Sequence, residues 1–222
     1  MVVGERMSRP VITVAPETPL HDALQLMRSE RIRRAPVVAH GRLVGIVSMK
    51  DLLNASPSQA TTLSVWELNY LLSKLTVEPI MTRTVHTVTE DAPIEEAARL
   101  MVDKRVGGLP VLRGGEVVGI ITETDLFKLF LELMGARESG VRCEVRVADQ
   151  PGALAQLTGA IAGAGGNMLA LGTFAGESPG HRTVTFKVAG LAPEELRRLV
   201  QPLVERVVDV RVSHPAGAAQ SE

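Results

Sequence analysis

Cysteine is almost missing from this chain of 222 residues, where Cys143 stands alone. One thiol excludes an internal disulfide and any metal site built from several cysteines, and it fits a reducing compartment. Rings are scarce as well, at 3% aromatic residues, which argues against a stacking platform for single-stranded nucleic acid. An excess of one charge is also absent. The 24 Lys+Arg and 25 Asp+Glu give a net charge of -1, so no overall field recruits DNA, RNA or anionic lipid. No apolar run reaches the ~20 residues that span a bilayer. The opening Met1-Val2-Val3-Gly4-Glu5-Arg6 has no apolar signal-peptide core. The expectation is a cytoplasmic protein that contacts neither membrane nor nucleic acid directly.

What is present is a soluble globular composition, 45% hydrophobic and 22% charged, on a chain long enough for one large domain or two small ones. It also repeats. Shifted by 74 residues, the first third falls on the second without a gap: Met7 on Met81, Thr13 on Thr87, Pro19 on Pro93, Ala23 on Ala97, Met27 on Met101. The register continues through Pro36/Pro110, Gly41/Gly115, Gly45/Gly119, Ile46/Ile120, Asp51/Asp125 and Leu52/Leu126. In each copy an extended start leads to a proline expected at helix position N1. Leu20, Ala23, Leu24 and Met27, and Ile94, Ala97, Ala98 and Met101, then mark one buried helical face. Two strands around a glycine turn follow, then a second helix after Ser48 or Thr122. The order is β-α-β-β-α, twice. Residues 64–75 read as a connecting helix.

Beyond Gly135–Gly140 the pattern changes. Val141, Cys143, Val145 and Val147 alternate with polar residues as in a half-buried strand. A turn at Asp149–Gly152, a helix through Leu154, Leu157 and Ile161, strands at 167–173 and 182–189, a helix over 193–204 and a strand at 207–212 complete a β-α-β-β-α-β series. That is the split βαβ, ferredoxin-like order.

The chemistry-bearing motif is Gly45-Ile46-Val47-Ser48-Met49-Lys50-Asp51, echoed by Gly119-Ile120-Ile121-Thr122-Glu123-Thr124-Asp125. Ser/Thr-x-x-Asp before an apolar run is also a helix cap, and for either copy alone that is sufficient. The binding alternative is that the carboxylate accepts both hydroxyls of a ribose while helix-end N–H groups attract phosphate.

The doubled β-α-β-β-α unit with this ending resembles the CBS domain, and the pair resembles the adenine-nucleotide-binding Bateman module. Asp149-Gln150-Pro151-Gly152-Ala153-Leu154, with Gly165-Gly166-Asn167 after it, resembles the ACT domain. Together they are similar to the acetoin utilization protein B (AcuB-like) family, and the link to acetoin rests on that family name alone. The resemblance implies an α+β fold: two tandem CBS repeats (1–55 and 79–135) joined by a linker with a helix (56–78), then a ferredoxin-like ACT domain (140–213) and a disordered tail (214–222). It implies Asp51 and Asp125 as ribose ligands, Ser48 and Thr122 on ribose or the first phosphate, and Thr13 and Thr87 near the adenine. Ala35 and Leu109 would offer backbone groups to the base. Phosphates would fall to Arg33, Arg34 and Lys50, with Thr124 at the position equivalent to Lys50. The copies differ here, since Gly107-Gly108 stand where Arg33-Arg34 do, which puts equal occupancy of two sites in doubt. In the ACT segment, Asp149, Gly152, Ala153, Leu154 and Asn167 are the candidate amino-acid ligands.

Other patterns are set aside. Gly176-Glu177-Ser178-Pro179-Gly180 fits G-x-S-x-G, but it joins two strands and not a strand to a helix. The five histidines lack metal-ligand spacing. Asn54-Ala55-Ser56 has meaning only after secretion. Met27, Met81, Met101, Leu126 and Phe127 are expected in the core, and Cys143 as an inert buried thiol. The reading is a regulatory ligand sensor, not an enzyme, with no catalytic residue, metal or cofactor. Its ligand is AMP, ADP, ATP or a related adenosyl compound, and it forms a homodimer and governs an unknown partner by conformational change. The alternatives are a dimerisation module without ligand and a nucleotide-processing enzyme.

Overall fold

The structure, a computed structural model, describes residues 1–55, 75–176 and 178–214. The expected connecting helix, apart from Leu75, and the expected tail, apart from His214, lie outside the described residues. The chain divides into two compact units, Met1–Leu126 and Phe127–Glu222.

In the first unit, α1 (Val3–Arg6) and α2 (Leu20–Ser29) precede β1 (Arg34–Ala39), β2 (Arg42–Ser48) and α3 (Met49–Ala55). The second copy supplies β3 (Val88–Thr89), α4 (Ile94–Lys104), β4 (Gly108–Arg113), β5 (Glu116–Thr122) and α5 (Glu123–Leu133), the last running into the second unit. The repeat in sequence is a repeat in register. Arg34 faces Ser48 as Gly108 faces Thr122, and both hairpins carry a bulge at the same place, Val37/Val38 and Val111/Leu112. Leu20, Ala23, Leu24 and Met27 are buried on the inner face of α2, and Ile94, Ala97 and Met101 on that of α4, the stripe that helical periodicity requires.

Two details differ from expectation. The extended start of the first copy is a single parallel bridge, Val14 to Val37, where the second has the two-residue β3. Pro19 and Pro93 are N-caps and not N1 residues, each carbonyl accepting the N–H four residues on, from Ala23 and Ala97.

The copies also exchange their leading segments. Val3 and Gly4 donate to Ala92 O and Glu90 O, and Ser8 pairs with Ile120, all in the second copy. Val77 and Glu78 donate to Thr18 O and Pro16 O, and Thr82 pairs with Ile46, all in the first. The exchange explains a glycine in each motif. A Cβ on Gly45 would lie 2.5 Å from the Met81 sulfur, and one on Gly119 would run into that of Met7. Each glycine leaves room for a thioether delivered by the other copy.

The second unit has the sheet order β7-β8-β6-β9, antiparallel throughout. Its strands are β6 (Gly140–Ala148), β7 (Asn167–Ala175), β8 (His181–Ala189) and β9 (Arg206–Ser213), with α6 (Ala153–Gly163) and α7 (Pro193–Val200) between them. Helix α7 stops four residues short of the sequence reading and passes into a 3-10 turn over Gln201–Leu203, where Pro202 has no N–H to continue the ladder. Val141, Cys143, Val145 and Val147 of β6 pack with Leu157, Ile161, Val184, Phe186, Leu196 and Val200. On the other face Lys187, 3% exposed, donates from Nζ to Gly135 O at 2.7 Å and Glu138 O at 2.9 Å. This ties down the chain just beyond α5 and satisfies the buried ammonium.

The core expectation needs one correction. Met27, Met81 and Met101 are buried and Leu126 is half-buried, but Phe127 is 68% exposed. It lies on the outward side of α5 with Phe130 and Leu131, 53% and 38% exposed, at the i, i+3, i+4 spacing of a single face.

Candidate functional site

Both Ser/Thr-x-x-Asp motifs close a helix start. The Ser48 N–H and hydroxyl donate to Asp51 Oδ2 at 2.9 and 2.6 Å, and the Asp51 N–H donates back to Ser48 Oγ at 3.2 Å. Thr122 makes the matching bonds to Asp125 Oδ2 at 3.0 and 2.7 Å. Capping is therefore present in both copies. It uses Oδ2, and Asp51 Oδ1 takes part in none of these bonds.

The copies differ in what surrounds the carboxylate. Asp125 is buried, 7% exposed, whereas Asp51 is half-buried and lines a cleft of about 290 Å³. Ile46, Ser48 and Asp51 form one side of that cleft and Arg34 lies beside them. The exchanged segment adds Thr82, Thr84, Val85 and His86 to the lining and is held alongside β2 by the two Ile46–Thr82 hydrogen bonds. Arg105, at φ 54 where α4 ends, turns the chain into Val106, Gly107 and Gly108, which complete the lining. Among the described residues the backbone groups of Val85 and His86 have no backbone partner, so an N–H and a C=O are open to the edge of a heterocycle.

The electrostatics of the cleft centre on Arg34. Burial pulls its pKa below the ordinary arginine value, Glu123 and Asp51 pull it back, and Arg33 adds to the lowering. An arginine stays charged through such a shift, and a part-desolvated guanidinium binds an anion more strongly than an exposed one. It passes over Gly107 and Gly108: a Cβ on Gly107 would stand 2.6 Å from Arg34 Nη2 and 2.7 Å from Glu123 Oε2. The cleft thus offers a carboxylate at a helix start, two arginines and unpaired backbone.

Of the residues singled out in the sequence, Arg34, Ser48 and Asp51 line this cleft. Arg33 is exposed and donates to Thr124 Oγ1 at 3.1 Å, across the copies. Lys50 is exposed on α3, and Thr13 is exposed ahead of Val14. Ala35 and Leu109 are fully buried in their strands. Thr87 lines a separate shallow cleft with Asp91 and Glu96. Thr82, Thr84, Val85, His86 and Arg105 were missed, because they belong to the second copy and Asp51 to the first. Arg105 had one signal, its match to Arg31 in the repeat.

In the second unit, the candidate amino-acid ligands do not converge within one chain. Asp149 Oδ1 accepts from Arg182 Nε at 3.0 Å. Gly152, at φ 87, is the N-cap of α6. Ala153 lines a cleft of about 240 Å³ with Gln150, Gln156 and Glu205, and Leu154 is 37% exposed. Asn167 opens β7 opposite Ala189, whereas Ala148, just before Asp149, pairs with His181 at the other end of β8. At ~3.3 Å per residue that register puts Asn167 roughly 26 Å from Asp149. The strand register is the reason these residues do not form one pocket.

Ser178, Pro179 and Gly180 of the G-x-S-x-G segment lie in a turn ahead of β8. Ser178 Oγ lies 3.1 Å from His181 Nδ1, and His181 Nε2 lies 3.2 Å from Glu205 Oε1. The Pro179 carbonyl also sits 3.1 Å from Nδ1, so that nitrogen faces a carbonyl acceptor as well as the serine hydroxyl and is not reserved as a base for the serine. Among the described residues no cluster of His, Cys, Asp and Glu is placed to hold a metal ion, and no helix is long and apolar enough to cross a membrane.

The family model for the CBS domain matches residues 3–58 and 77–132, together half of the chain. The chain belongs to the CBS domain family. A second model, the TTHA0829-like ACT domain, matches residues 139–211, so a tandem CBS pair is followed by an ACT domain, both of them regulatory modules. A CBS domain-containing protein of Dictyostelium discoideum is 33% identical over 136 residues, 60% of this chain and 94% of its own length. Protein MJ1225 of Methanocaldococcus jannaschii, whose structure is described as that of a proposed archaeal homolog of g-AMPK, is 33% identical with a TM-score of 0.50. That alignment covers 58% of this chain but 47% of MJ1225, so the chain spans about half of that relative. A Vibrio cholerae structure provisionally assigned to acetoin utilization (AcuB) is 31% identical with a TM-score of 0.50, covering 60% of this chain and 92% of that one.

Proposed function

We propose that the CBS pair senses an adenine nucleotide bound in the cleft at Asp51. The observation that carries this reading is the meeting of the half-buried Asp51 carboxylate, the Arg34 guanidinium and the open backbone of Val85 and His86 around one cavity. Asp51 accepts the ribose hydroxyls through the oxygen its cap leaves free, the backbone reads the adenine edge, and Arg34 with Arg105 faces the phosphate. At about 290 Å³ the cavity sits at the low end of the ~300–1,000 Å³ typical of ligand sites. That suits one nucleoside with its phosphates toward the open side better than a dinucleotide.

The cleft has walls from both copies, so a ligand there favours one packing of the copies over another. Unequal affinity for two packings is what shifts an equilibrium, and couplings of ~1–3 kcal/mol are usual. The signal passes to a partner, with the protein acting as a homodimer in the cytoplasm. A role in acetoin utilization draws on the likeness to the Vibrio cholerae protein alone. A second reading, a dimerisation module without ligand, is favoured by one observation: both Asp side chains already serve as caps.

A thermal-shift panel of AMP, ADP, ATP, S-adenosylmethionine, NAD and the common amino acids tests the proposal. AMP or ATP raises the melting temperature of the wild type, and Asp51→Ala removes the shift. Flat responses to every adenosyl compound from a stable dimer would establish the second reading instead.

A further inference from the structure

We infer that each chain binds a single nucleotide, at Asp51, and that its own Arg33 is fastened across the counterpart position at Asp125. The inference rests on the nucleotide reading of the Asp51 cleft and adds its stoichiometry. The 74-residue relation assigns every residue of that cleft a counterpart, and the two sets differ where a ligand's anionic end would lie. On the Asp51 side stand Gly107 and Gly108, and the space above them holds the Arg34 guanidinium, within 3.0 Å of where either Cβ would be, with Glu123 Oε2 beside it. On the Asp125 side the same positions are Arg33 and Arg34 themselves. Arg33 is fastened there, donating to Thr124 Oγ1 at 3.1 Å, one residue before Asp125 in the first turn of α5.

One further difference points the same way. Asp125 is 7% exposed, while its counterpart Asp51 is half-buried and open to a cavity. A nucleotide at Asp125 would have to displace the Arg33–Thr124 bond. At Asp51 it meets Arg34 already in position over two glycines. The duplication has kept both carboxylates as helix caps and one of them as a ligand.

Equilibrium dialysis and calorimetry on the full chain, with ATP and separately AMP as probes, read the stoichiometry directly. One nucleotide per chain is expected. Asp51→Asn, which retains a capping side chain, should weaken binding at least tenfold, and Asp125→Asn should leave Kd within twofold. Two nucleotides per wild-type chain, or an Asp125→Asn loss equal to that of Asp51→Asn, would overturn the inference while leaving the nucleotide reading intact. Absence of binding by the wild type to both probes would remove the two together.

Discussion

Replacing Gly107 by alanine separates recognition of phosphate from recognition of the nucleoside. The backbone at Gly107 is not in the left-handed region, so alanine fits its conformation. The new methyl would lie 2.6 Å from Arg34 Nη2 and 2.9 Å from Nη1, against a comfortable separation of about 3.5 Å. The guanidinium therefore retreats by about 1 Å, which its flexible stem allows without disturbing the strands. Folding stability should change little, since a glycine-to-alanine exchange at a compatible backbone gains ~0.4–1 kcal/mol through the unfolded chain and offsets the local adjustment. Ligand binding should change more. A hydrogen bond to a charged group contributes about 1.5–3 kcal/mol, and 1.4 kcal/mol is a factor of ten, so AMP should bind roughly tenfold to a hundredfold more weakly. Adenosine, which has no phosphate, should bind within about twofold of wild type. Isothermal titration of both ligands, with thermal melts as the folding control, reads the difference. Equal weakening of AMP and adenosine, or no weakening of either, would refute the role given to Arg34.

Three other perturbations test the frame around the site. Gly45→Ala places a methyl 2.5 Å from the Met81 sulfur and 3.2 Å from its Cβ; a loss of ~1–3 kcal/mol is expected in urea melts, with partial recovery in the double variant with Met81→Ala, and no loss would contradict the exchanged packing. Lys187→Met leaves the Gly135 and Glu138 carbonyls without their donor and should cost about 1–3 kcal/mol; a change under ~0.5 kcal/mol would show that water replaces the ammonium readily. Burial pushes the Cys143 thiol up to about 12, so a thiol reagent at pH 8 should label it only on unfolding. Because the folded state raises this pKa, its contribution is fully present below the unfolded value of ~8.5 and declines as pH rises toward 12. Rapid native labelling at pH 8, or alkaline melts indistinguishable from those of Cys143→Ala, would contradict that burial.

The duplicated hairpins and helices could be read from the chain because their signals are local. The i, i+3, i+4 apolar stripe of Leu20, Ala23, Leu24 and Met27 admits one helical face, and the alternation of Val141, Cys143, Val145 and Val147 admits one strand face. The ribose carboxylate candidate followed from the same local motif. The exchange of leading segments left no trace, for a physical reason. Met7 and Met81 are the same residue type, as are Gly45 and Gly119, so packing each methionine on its own copy or on the other satisfies the pattern equally. With that choice hidden, Thr13 and Thr87 were the candidates beside the adenine, while the cleft at Asp51 is lined by Thr82, Thr84, Val85 and His86. Phe127 shows a second limit, since periodicity places it on a helix face without telling whether anything lies against that face.

Met7 and Met81 sit like keys left in each other's locks, and this has a consequence for how the duplicated gene can be handled. Neither half carries the side chain that fills its own slot: a fragment ending at residue 55 would keep the slot at Gly45 and lose the thioether that fills it. Cutting the pair in two therefore yields pieces that must find a mate before they can close, and the smallest heritable unit of this architecture is the doublet.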